Sequence, residues 1–558
     1  MDKRITALTL CAIVFTSVLL VIVLSENEPI EAMPNTSSSS PSNPTISEPI
    51  ENSDASPKNI DEPNLTVPDD CHNITEAVNS AKDGDTIFVR SGIYVESVTI
   101  NKGLTLKGEN KDNTIVDSNN FGPAFLVKSE NVTITGFKVR NVENPSQVTG
   151  NNYPGIHLLG ASHCYVYDNI VVECGKGVWI YGGSNNCIAE NLVVGNGYGV
   201  LLQSSNQNEI VNNTAENGLN GISVVNSYNN TLKGNVMKGN QYNFGVNGDT
   251  ALAYQNSIDI TNTVENKKVY CVSGLIDQTI SPQTYPDIGS LTIADSKNIN
   301  IQGISTKNTN YGINLFEVEN AKLTNNSVQD NEYGFYLVKC SNCVISNNSY
   351  YKISENGIKV STSMAISISK NLFQQTGSMT INIVNSSECT IEENTLYGYH
   401  SLGICLDCSN NNTIFNNKQS GDGIVNTVFK VKSSSNNHYK SNNFSLCALS
   451  FLISKGSNNN MIISNSFATD GGWTGLSLDS AEYNTISDNV WYNFRVGFEL
   501  GNAGNNVIAR NIVTSKDHAV QYFNFNNNIF DSNQFLGSTD IWDMGSELQK
   551  GASVNTWK

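Results

Sequence analysis

The side chains best suited to hold a ligand lie late in the chain, where Trp473, Asp479, Asp488, Trp491, Tyr492, Arg495 and Glu499 crowd into one short stretch. Indole and phenol rings stack on the apolar faces of sugars, while carboxylates and a guanidinium take their polar groups. Trp473, Asp488, Trp491, Tyr492 and Arg495 are therefore the candidate carbohydrate-binding residues. A competing reading has the aromatics covering structural corners and Arg495 paired with Glu499. Copper chemistry would call for clustered His, Cys or Met, but the six His and seven Met are scattered. The closest grouping is His157, His163 and Cys164, where strand alternation turns His157 outward; no metal site is assigned. Twelve cysteines invite disulfides in an exported chain. Cys340 with Cys343, and Cys405 with Cys408, have CxxC spacing without the second pair that zinc requires, and buried thiols are the preferred reading.

What must position these residues is a repeat. Gly155, Gly177, Gly199 and Gly221 stand 22 residues apart. With glycine as position zero, Ile156 and Leu158, Val178 and Ile180, Val200 and Leu202, and Ile222 and Val224 alternate as strand residues facing one way. Cys164, Asn186, Asn208 and Asn230 follow at position nine, and Asn169, Asn191, Asn213 and Asn235 at position fourteen. A unit this short cannot close a core on itself and must stack. The spacing predicts an all-β fold, a parallel β-solenoid with about 22 residues per coil and roughly 20 coils one strand spacing apart. Asn is expected at the corners, bonding to backbone and to its copies above and below, and the repeat glycine is expected to supply a left-handed corner.

Composition narrows the partners. Only 15% of residues are charged and the net charge is −18, so no basic face is available for nucleic acid. Lys3 and Arg4 precede an apolar run from Ile5 to Leu24, so residues 1–25 read as a signal peptide or a retained signal anchor that places the rest of the chain outside the membrane. Residues 26–68, rich in Ser, Pro and Asn, read as a disordered linker. Residues 69–558 form the solenoid. At its start, Ile74, Ala77, Val78 and Ala81 have helical spacing, with Asn73 and Glu76 placed as a capping box and Gly84 as a stop. This short helix would cover the open end. The register is interrupted between about 243 and 290, resumes at Gly312, Gly334, Gly357, Thr380 and Gly403, is hard to phase between 420 and 470, and returns at Gly475, Gly497 and Ala519.

Two passages carry a resemblance. ITEAVNSAKDGDTIFVRSGIYVESVTINKGLTLKGENKDNTIVD, residues 74–117, resembles the opening of exported right-handed parallel β-helix proteins of the pectin-lyase-like class. IDITNTVENKKVYCVSGLIDQTI, residues 258–280, is similar to an insertion in NosD-type envelope proteins. The resemblance implies a right-handed, single-stranded parallel β-helix and an exported protein at the cell surface or outside the cell. It allows three functions: a structural or carbohydrate-interacting surface module, a polysaccharide lyase or hydrolase, or a NosD-type periplasmic copper accessory. Ca²⁺ or Cu enters by this resemblance alone. The Asn-Thr-Asp, Gly-His-Gly and Arg-Ile-Lys elements of polygalacturonases and the Asp-Pro-His-Asp of alginate epimerases are missing. Catalysis by those known routes is disfavoured, so the preferred reading is a structural or carbohydrate-interacting module, with the enzyme and the copper accessory kept as alternatives and no catalytic residue assigned. Its partners are an extracellular polysaccharide and, through the N-terminal segment, the membrane.

Overall fold

The structure, a computed structural model, describes residues 63–141, 153–523, 527–537, 541–543 and 556–557. The expected signal segment and nearly all of the expected linker lie outside the described residues. Among the described residues no helix is long and apolar enough to cross a membrane. The chain is an all-β parallel solenoid of the right-handed type, with about 21 turns of roughly 22 residues and almost no helix. Its first strand, Leu65–Val67, pairs in parallel with Thr86–Val89. The fold therefore begins inside the last residues read as linker.

The helix α1, Ile74–Ser80, buries Ile74, Ala77 and Val78 in the same apolar cluster as Val67, Ile87 and Val98. Asn73 Oδ1 accepts from Glu76 N–H at 2.8 Å. Glu76 does not close the reciprocal box; its carboxylate accepts from His72 N–H at 2.9 Å. Glu96, from a later strand turn, accepts instead from Ile74 N–H and Thr75 N–H, satisfying two orphan donors of the first turn.

At the ladder corners two adjacent residues divide two tasks between them, both of them Asn in Asn185-Asn186 and Asn212-Asn213, the first Glu in Glu190-Asn191. The second Asn is buried and laddered: Asn191 Nδ2 donates to Asn213 Oδ1 at 3.0 Å, and Asn213 to Asn235 at 3.1 Å. The same side chain also donates inward, as Asn213 does to Ile188 O at 2.7 Å. The residue just before takes the left-handed backbone, as in Asn212 at φ 55° and Asn185 at φ 55°. The repeat glycine has a different duty from the one expected. Gly177 sits inside the strand Lys176–Tyr181 outside the left-handed region, and a Cβ there would meet Val193 Cγ1 at 2.4 Å and Gly199 O at 2.6 Å. Its hydrogen makes room for the inward side chain sixteen residues on and for the next coil.

The segment read as an insertion divides the core. Buried apolar residues up to Val269, with Ala294, Phe316 and Val338, form one cluster, and the others from Tyr270 to Phe535 form a second. A hairpin causes the division: Thr263–Val264 pairs antiparallel with Lys267 and Lys268 across Glu265 and Asn266, both at positive φ. The outgoing strand, Lys267–Ser273, then runs parallel to Ile288–Lys297, which in turn pairs in parallel with Tyr311–Glu319. Meanwhile the last long strand of the first stack, Tyr242–Asn247, ends its own seven-stranded sheet. Its edge is covered by a segment of the second stack, where Asn243 N–H donates to Asn308 O at 2.7 Å and Asn310 N–H to Phe244 O at 3.2 Å. Phe316 and Val338, alternating with core residues Leu315 and Leu337, belong to the first core. There Phe316 stacks on Tyr254 at 4.3 Å. This junction satisfies an edge strand that would otherwise invite aggregation.

Beyond it the ladder is continuous, and it resolves the stretch that sequence could not phase. Asn417 bonds to Asn442 across 25 residues and Asn442 to Asn465 across 23. The coil there is lengthened by residues between the strands Lys418–Ser420 and Val425–Lys432, and the pairing recovers its register at once.

Candidate functional site

The late coils place their aromatics on opposite sides of the wall. Trp491 is fully buried, packed edge-on against Phe498 at 5.0 Å, with its indole N–H donating to Ser450 Oγ at 2.7 Å. It offers no ring face to a ligand, which corrects the expectation for this residue. The signal was present in the repeat: counted from Gly475, Trp491 holds position sixteen, the inward position of Val171, Val193 and Ala215 in the first coils.

Trp473 lies two residues before Gly475, as Tyr153 does before Gly155, and both are exposed, Trp473 to 65%. The Arg495 guanidinium sits over its ring at 5.0 Å and is held from beyond by Asp517, Nε to Oδ2 at 2.7 Å. The three side chains thus climb three successive coils. Arg495 takes Asp517 as its partner, not Glu499. Tyr492, 58% exposed, follows buried Trp491 by strand alternation. Asp488 stands apart in a turn at φ 59°, gripped at both oxygens by Arg510 at 2.7 Å. That bond holds its carboxyl below the ordinary range, so Asp488 stays ionised near neutrality and is unsuited to act as a general acid there. What remains at the surface is the stacked pair Trp473 and Arg495, with Tyr492 exposed three residues before Arg495 on the same strand.

The metal candidates separate in the same way. His157 faces outward from its strand but is 8% exposed, its ring flat on Trp179 at 4.2 Å. Burial pulls its pKa down to about 4. His163 lies 3.9 Å from Glu130. Cys164 fills a ladder corner, its N–H donating to Asn186 Oδ1 at 2.9 Å, and burial pushes its thiol up to about 11. Cys343 and Cys389 are buried at the matching corners. Burial likewise drives the Cys340 thiol well up. Soft-metal binding needs thiolates that can be reached, and Cys340 and Cys343 are both buried with their sulfurs against backbone carbonyls. Among the described residues no three His, Cys, Asp or Glu converge as a metal set. His157, His163 and Cys164 therefore do not make a copper site.

A family model described as "Periplasmic copper-binding protein (NosD)" matches residues 78–287, 256–422, 295–470 and 425–558. No curated protein matches. Among solved structures, the PL6 family alginate lyase AlyGC is 11% identical, over 86% of this chain and 98% of its own, at a TM-score of 0.25. A Yersinia enterocolitica family 28 exopolygalacturonase is 11% identical over 87% and 74%, at 0.30. Gene product 12 of bacteriophage phi29 is 12% identical over 79% and 68%, at 0.31. At these values no function is drawn from them.

Proposed function

The chain belongs to the NosD family, and within it we propose an exported β-solenoid that binds polysaccharide on its outer wall through Trp473, Arg495 and Tyr492. The observation that carries this reading is the exposure of Trp473. Leaving a large apolar side chain in water forgoes about 1.5–3 kcal/mol, and here the Arg495 guanidinium stands over the exposed ring. A rigid wall with a repeat of one strand spacing presents such groups to a chain polymer without further ordering cost. Arg495 is held by Asp517, and Asp488, apart from it, is held by Arg510, which supports binding in place of acid–base cleavage by these carboxylates. Because His157, His163 and Cys164 do not converge as a metal set, no step is routed through copper.

The test is affinity electrophoresis of the full chain in gels carrying acidic or neutral polysaccharides. Retardation without release of reducing ends or unsaturated products is expected. Product release would turn the reading to an enzyme, and absence of retardation in every gel would end it.

A further inference from the structure

Strand register sorts the outer wall of the second stack into columns. Tyr351 pairs with Gln374, Gln374 with Tyr397 and Tyr397 with Ser420. The column continues through Ser445, one residue after paired Phe444, to Ala468 and then Tyr492, alternating with inward Leu396, Phe467 and Trp491. Tyr351, Tyr397 and Tyr492 thus stand on one line along the solenoid axis, two coils apart and then four, or about 10 and 19 Å at one strand spacing per coil.

Three observations describe what the line would fit. First, the rings reach solvent: Tyr492 is 58% and Tyr397 47% exposed, while Tyr351 is half-buried, with Lys352 Nζ 5.2 Å from its ring centre. Tyr397 has a seat in the next coil, since a Cβ on Gly421 would meet its Cε2 at 2.7 Å and its Cδ2 at 3.0 Å. Second, the floor between Tyr397 and Tyr492 is low, because Ser420, Ser445 and Ala468 carry only small side chains. Third, the neighbouring outward column offers Lys418, Asn443 and Ser466, all exposed. Neither column holds a carboxylate over this span, in a chain of net charge −18. Aromatic rings, hydroxyls and an amide beside one cation suit an uncharged polyhydroxyl chain.

We propose that this line is the binding track of a neutral, extended polysaccharide of β-1,4-linked pyranoses, lying along the solenoid axis with alternate rings on the tyrosines. Each ring of such a chain advances by close to one strand spacing and turns over from the last. Rings two apart therefore present the same face, which matches tyrosines placed an even number of coils apart. A chain of about five rings reaches from Tyr397 to Tyr492. Wall and glycan are both stiff, so little ordering opposes contact. The proposal rests on the reading of the outer wall as polysaccharide-binding and shares Tyr492 with it; Tyr351, Tyr397 and Ser445 are its own.

The experiment is isothermal titration calorimetry of the full chain with the biose and the hexaose of cellulose, mannan and chitin, and with maltohexaose as the curved, α-linked comparison. At least one β-linked hexaose is expected to bind at least tenfold tighter than its biose and than maltohexaose. Tyr397→Ala should remove that gain. Ser445→Glu, which sets a carboxylate in the path from an exposed position, should do the same and covers the case of a first variant that folds poorly. The proposal is overturned by hexaoses that bind no tighter than bioses, by maltohexaose binding as well as they do, or by affinity that ignores both variants. Hexaose affinity lost in Trp473→Ala but kept in both track variants would refute the track and leave the outer-wall reading standing. The converse would keep the track and remove Trp473, so either can fail without the other.

Discussion

The phenol of Tyr242, in the last long strand of the first stack, donates to Ser354 Oγ at 2.6 Å, across 112 residues of chain. Few other side-chain bonds span so far in a fold whose partners are usually one coil apart, and this one joins the two stacks. In Tyr242→Phe the ring still packs but the bond is lost and Ser354 is left short of a partner, a cost of about 1 kcal/mol. Differential scanning calorimetry should show a lower melting temperature with the first stack affected most. An unchanged profile would mean that the junction is held by its apolar contacts, such as Tyr254 on Phe316, alone.

Neighbouring asparagines should respond in opposite ways. Asn213→Ala removes the acceptor for Asn191 N–H and Nδ2 and the donors to Ile188 O and Val211 O. With several buried groups orphaned, a loss of about 3 kcal/mol or more is expected. Asn212, exposed and at φ 55°, should accept glycine with little change, because glycine adopts that backbone freely. Denaturant midpoints of the two variants decide it, and equal losses would contradict the division of roles.

Most of this division was open to reading from the chain itself. The 22-residue register of Gly155 to Gly221 gave the strands, the inward Ile, Val and Leu, and the Asn column, since each is a local consequence of stacking like on like. Trp491 and Trp473 could also have been sorted by position sixteen and position minus two of the same template. The junction could not. That Asn310 Nδ2 donates to Asn220 Oδ1, 90 residues away, depends on where a hairpin sends the chain, and no periodicity encodes that. The duty of Gly177 is not legible in its own segment, because the reason for glycine there lies in the neighbouring coil and not in its own φ.

Acid should destabilise the protein partly through His400. It is fully buried, its Nε2 donates to Tyr397 O at 3.2 Å, and Thr380 Oγ1 lies 3.0 Å from Nδ1. Burial lowers its pKa to about 4, below the unfolded value near 6.5. The unfolded chain therefore binds the proton first. This contribution is fully present above pH 6.5 and is lost as pH falls from there toward 4, on the order of 3 kcal/mol in all. Glu332, whose carboxyl is raised by burial, works with the opposite sign and offsets part of the loss. Melting curves between pH 7 and 4.5 should fall less steeply for His400→Gln than for the parent. Parallel curves would show that His400 is not the group involved.

The outer-wall reading rests on the contrast between two tryptophans, and one paired titration tests it most directly. Polysaccharide binding and thermal stability are measured together for Trp473→Ala and Trp491→Ala. The account predicts that Trp473→Ala loses at least tenfold in affinity with its melting temperature intact. It predicts that Trp491→Ala gives up about 3–5 kcal/mol of stability by emptying the core. Affinity unchanged in Trp473→Ala, in a protein that melts like the parent, would contradict it.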